Sequence, residues 1–75
     1  MREHIYTLLS EALPAVDFEA EFLFGELDSL SIVTIFVILS KEYNVSFDGL
    51  DVTPKNFKSL DSIVKMVESK MESNQ

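Results

Sequence analysis

Between residues 2 and 13, Ile5, Leu8, Leu9, Ala12 and Leu13 recur at the three- and four-residue spacing of a helix with one apolar face. Pro14 ends that helix, because the residue before a proline is pushed out of the α region. Over residues 14–27 the pattern changes to acids mixed with aromatics, among them Asp17, Phe18, Glu19, Glu21, Phe22, Phe24 and Glu26. This long connection has room for a turn of helix. Phe18, Phe22 and Leu23 are expected to plug the core from outside, and Gly25 to permit a backbone turn just ahead of Asp28.

The densest apolar run comes next: Leu30, Ile32, Val33, Ile35, Phe36, Val37, Ile38, Leu39 and Tyr43. Asp28 and Ser29 are good helix starters, the carboxylate accepting from a free N–H of the first turn and sitting at the positive end of the helix dipole. Asn44 is the expected stop, since it tolerates a left-handed cap. At roughly 100° per residue the run splits into two apolar groups. Ile32, Ile35, Phe36, Leu39 and Tyr43 form one arc. Leu30, Val33 and Val37 form a second stripe, divided from the first by Ser29 and Ser40. One arc suffices for the core of a small domain, so the second stripe reads as a docking surface. A central helix buried on two sides accounts for the same pattern.

Residues 45–52 read as a loop with Asp48-Gly49 as its turn signal, and Phe47, Leu50 and Val52 are expected to point inward. Thr53-Pro54 signals a helix start, with Thr as cap and Pro at the first position. That helix must be short, with Phe57 as its core contact, because Ser59 caps another. The last helix, from about Leu60 to Met71, carries Leu60, Ile63, Val64, Val67 and Met71 on one stripe, with Lys65 and Lys70 off it and a polar tail from Glu72 to Gln75. The fold class expected is all-α: a single domain, residues 1–75, built as a small four-helix bundle of three main helices and one short one.

Composition narrows the functions. An apolar content of 47% suits a folded globule, and the absence of cysteine removes disulfides and thiolate metal sites. No stretch reads as a signal peptide or reaches the roughly 20 apolar residues of a membrane span, so a cytoplasmic protein is expected. The net charge is −7, of which −6 falls in residues 1–40, on the approach to Ser29. Such a field disfavours nucleic acid and favours partners with basic docking patches. Simple solubility would also explain it.

Catalysis by the chain itself is not expected. The sole histidine, His4, lies on a different helix from Ser29, and there is no G-x-S-x-G, no phosphate-binding loop and no zinc spacing. Asp17, Glu19, Glu21 and Glu26 lack the spacing of a calcium loop. Ser29 suits another use. An exposed hydroxyl at a helix start is a place to attach a group covalently, and the free N–H groups of the first turn favour a phosphate. An ordinary Asp-Ser cap would look the same.

Gly25-Glu26-Leu27-Asp28-Ser29-Leu30, the helix to Tyr43, Val45-Ser46-Phe47, Thr53-Pro54-Lys55-Asn56-Phe57 and Ser59-Leu60-Asp61-Ser62-Ile63 together resemble an acyl carrier protein over nearly the whole chain. The resemblance implies that Ser29 carries 4′-phosphopantetheine, delivered from coenzyme A by a phosphopantetheinyl transferase, with Asp28 serving the modification. The arm would hold acyl or aminoacyl groups as thioesters for loading enzymes and downstream synthases of fatty-acid, polyketide, peptide or related pathways. Leu30, Val33, Thr34, Val37 and Lys41 occupy the family's partner-recognition face, and a monomer fits such a shuttle. The chain departs from fatty-acid carriers in three places. Gly25 stands three residues before Asp28 rather than two, Thr34 stands at a usual glutamate position, and Lys41 stands where acid is common. The connection before Ser29 is also shorter than usual. These features are closer to D-alanyl and peptidyl carriers. The alternative from another class is an unmodified helical adaptor that binds a partner through the same stripe.

Overall fold

A computed structural model describes residues 1–73. Among them are three α-helices and no strand: α1 (Arg2–Ala12), α2 (Ser29–Tyr43) and α3 (Leu60–Ser73). Short 3-10 turns at Leu23–Glu26 and Gly49–Asp51 punctuate the two long connections. Each helix packs on the other two. His4 on α1 meets Glu42 at the end of α2, while Arg2 meets Asp61 at the start of α3. Helices α1 and α3 therefore start at the end of the bundle where α2 finishes, and α2 begins at the other.

The core is the meeting of most of the predicted faces, Ala12 and Met71 being exposed at the ends of theirs. Ile5 and Leu9 from α1, Ile35 and Leu39 from α2, and Ile63 and Val67 from α3 are all fully buried. Burying each such side chain contributes about 1.5–3 kcal/mol. Phe18 and Leu23 from the first connection and Phe57 from the second close the open side, and Phe57 is ringed by Phe24 and Phe36. The two connections are themselves joined, the Leu23 N–H donating to the Lys58 carbonyl at 2.9 Å. Arg2 adds a clamp from outside, its guanidinium donating to Glu19 at 2.9 Å and to Asp61 at 2.7 Å.

Several expectations need correction. Phe22 does not plug the core; it is 54% exposed and lies along the surface against Gly25 and Phe24. Gly25 does lie in a turn ahead of Asp28, without a positive φ. Its hydrogen leaves room for the Phe22 ring, which a β-carbon there would approach to 3.2 Å. Leu50 is 87% exposed and Val52 is also exposed, because a capping box coils the intervening chain outward. In that box Asp48 and Asp51 each accept from backbone of the other's end. Only Phe47 of the three turns in, stacking flat on Phe36 with centroids 4.7 Å apart.

The short helix expected after Thr53 is a single turn. The Thr53 hydroxyl accepts from the Asn56 N–H as a cap should, and the Phe57 N–H reaches the Thr53 carbonyl at 3.2 Å, but no further turn follows. Phe57 must enter the core and Ser59 must cap α3, which it does through the Ser62 N–H. The single residue between those tasks, Lys58, leaves no length for propagation. Helix α3 runs on to Ser73, so Glu72 and Ser73 are helical rather than tail; residues 74 and 75 of that expected tail lie outside the described residues.

Candidate functional site

The site is assembled at the start of α2. Asp28 has extended backbone (φ −102°, ψ 179°), and its Oδ1 accepts from the Ser31 N–H at 2.8 Å while its carbonyl receives the first helical bond from Ile32. That backbone bond, with the Ser31 side chain adding to it, holds the Asp28 carboxyl below its ordinary range. Ser29 follows as the first helical residue and is exposed. A helix start leaves its first amides without helical partners. Asp28 takes the Ser31 and Ile32 amides, and the Leu30 amide also bears on its carboxylate.

Leu30, Val33 and Val37 are 74, 56 and 47% exposed. The reading of α2 as a helix buried on two sides is thereby overturned: one arc is buried and the second stripe faces outward beside Ser29. Lys41 continues this exposed face toward the end of the helix. Thr34 belongs to it only in part. It is half-buried, and its hydroxyl donates to the Leu30 carbonyl at 2.9 Å.

Between α2 and the turn of the second connection lies a groove of about 330 Å³, lined by Ser29, Ile32, Val33 and Phe36 on one side and Asp48, Gly49 and Val52 on the other. Sequence reasoning missed the second wall. The Asp48-Gly49 turn signal located the turn, but not that it would fold back to the serine.

Asp48 shares the groove with Ser29, whereas His4, Asp17 and Glu19 stand apart from it. His4 is hydrogen-bonded to Glu42 at 2.6 Å, near the far end of α2, a helix rise of about 20 Å from Ser29. It is out of reach as a base for that hydroxyl. Asp17 is turned onto the Glu19 N–H and Glu19 onto Arg2. Among the described residues no three of His, Cys, Asp and Glu converge as they would around a metal ion, and no helix is long and apolar enough to cross a membrane. Compared with protein-family models, curated proteins and solved structures, the chain matches none.

Proposed function

We propose that this chain is a free-standing carrier protein of the acyl-carrier type, with Ser29 as the attachment point for 4′-phosphopantetheine. The observation that carries the reading is the exposed Ser29 hydroxyl at the first position of α2, directly behind a carboxylate already committed to the cap and directly beside an outward apolar stripe. The residues fit the group. The serine is exposed and so accessible to a transferase, it heads a helix whose N-terminus favours a phosphate, and the Asp28 carboxylate beside it is turned onto the cap amides. In this reading the single turn at Thr53–Phe57 stands where a four-helix carrier has its short helix.

Ser29 Oγ would attack the diphosphate of coenzyme A on a phosphopantetheinyl transferase, forming a phosphodiester as adenosine 3′,5′-bisphosphate leaves. When bound, the arm supplies a thiol that carries an acyl or aminoacyl group as a thioester. The chain's own part is presentation. Asp28 fixes the start of α2, and Leu30, Val33 and Val37, with Lys41 beyond and the methyl of Thr34 at the edge, form the face on which loading enzymes and synthases dock. The acidic first half of the chain, −6 over residues 1–40, favours partners with basic patches. Delivery of this kind belongs to a monomeric cytoplasmic protein.

The stripe by itself would serve an unmodified adaptor equally well, and Ser29→Ala separates the two readings. Incubated with coenzyme A and a broad-specificity phosphopantetheinyl transferase, the wild-type chain should gain the mass of one phosphopantetheinyl group, and Ser29→Ala none. Absence of the gain on a folded wild-type chain, with function surviving in Ser29→Ala, would establish the adaptor instead.

A further inference from the structure

The groove beside Ser29 has one rigid wall and one lightly held wall. Helix α2 supplies the first. The second belongs to residues 46–56, a run with no buried residue, between Val45 and Phe57, which both are buried. The bonds that shape this run close within it. Asp48 accepts from the Leu50 N–H and Asp51 from the Asp48 N–H, the Asp51 N–H reaches the Asp48 carbonyl, and the Asn56 side chain holds the Asp51 carbonyl. These contacts give the segment a shape, and the stacking of Phe47 on Phe36 is its contact with α2.

Lys70 on α3 adds a second hold. Its ammonium lies 3.0 Å from Asp51 Oδ2 in a pair whose side chains are 30% and 14% exposed. The same ammonium stands 6.0 Å over the centre of the Phe47 ring, which stacks on Phe36, itself in the groove wall. Asp51 is thus anchored on the side of the turn away from Ser29, while Asp48, Gly49 and Val52 of the same turn line the groove. One cation therefore holds both the turn and the ring beneath it.

We propose that the Lys70–Asp51 pair is a latch that keeps this wall closed on the groove beside Ser29, and that its release lets residues 46–56 loosen and move off α2. The device belongs to the fold and acts whether or not Ser29 bears an arm, so it is tested on the unmodified chain and does not stand or fall with the carrier reading.

Hydrogen exchange and methyl relaxation by NMR should be compared for wild type, Lys70→Met, Lys70→Arg and Asp51→Asn. Methionine keeps the apolar stem over Phe47 without the charge, and asparagine keeps an oxygen for the Asp48 amide. In Lys70→Met and Asp51→Asn, exchange at the Leu50, Asp51 and Val52 amides should rise roughly fivefold to tenfold, the loss of about one ion pair. The Leu9 and Leu39 amides should stay at wild-type rates, and the Val52 and Ile32 methyls should gain microsecond-to-millisecond exchange broadening. Lys70→Arg should restore both readouts. Unchanged amides, silent methyls, a rise spread equally over Leu9 and Leu39, or failure of arginine to rescue would each overturn the latch.

Discussion

Asp28 does local work that its charge makes pH-dependent. Its carboxyl is held below the ordinary range by the Ser31 amide, so the charged form is favoured in the folded chain. Stability from this source is complete above the unfolded carboxylate value of about 4 and is lost as pH falls through the lower folded value. Asp28→Ala should therefore lower the urea midpoint at neutral pH, and the gap to wild type should narrow as an acid titration passes below about pH 4; a gap that stays constant with pH would contradict this account. Asp28→Asn, which can still accept from the Ser31 amide, should lose less. Asp28, Ser29 and Asn44 were legible because a cap is settled within one turn of chain, and Asn44 does take the left-handed conformation, with φ of 54°. Phe22 and Leu50 were not. Which way a loop side chain points depends on what the rest of the fold has already filled, and Phe18 and Leu23 fill the site that Phe22 was expected to share.

At the scale of the element, α2 separates burial from exposure along a single helix. Ile35 is fully buried and Val33, two residues earlier, is more than half exposed. Ile35→Ala should cost about 2–5 kcal/mol, whereas Val33→Ser and Val37→Ser should each shift stability by no more than about 0.5 kcal/mol. If the stripe is a docking face, the same serine variants should weaken partner binding while their urea curves overlay the wild type. A large loss of stability in Val33→Ser would return the helix to the doubly buried reading. The split into two apolar groups was visible in the periodicity. Which group faced outward was not, because a helical wheel carries no information about how many neighbours the helix has. The turn after Thr53 shows the converse: both start signals were read correctly, and the helix still did not form, since Phe57 and Ser59 were claimed by the core and by α3.

Taken whole, the molecule is small enough for one aromatic ring to matter greatly. A chain of 75 residues has a total stability of about 4–11 kcal/mol. Phe57, fully buried with Phe24 and Phe36 at centroid distances of 6.4 and 5.7 Å, should cost about 3–5 kcal/mol when cut to alanine. Phe57→Ala should accordingly lose about a quarter or more of its urea midpoint or fail to fold cooperatively; a midpoint within a tenth of wild type would show that the core closes without it. The three main helices and most of their apolar stripes were legible in the sequence, whereas the bond between the two connections was not, because Leu23 and Lys58 lie far apart along the chain and nothing in either neighbourhood announces the other. That bond also governs how the groove wall travels. With Lys58 pinned to Leu23, Phe57 sunk in the core and Val45 seated with its amide on the Ser40 carbonyl, both feet of the intervening chain are fixed. Release of the latch would therefore turn the run about the line joining those feet, as a bucket handle turns on its two ears, and so widen or narrow the groove it shares with the serine that heads α2.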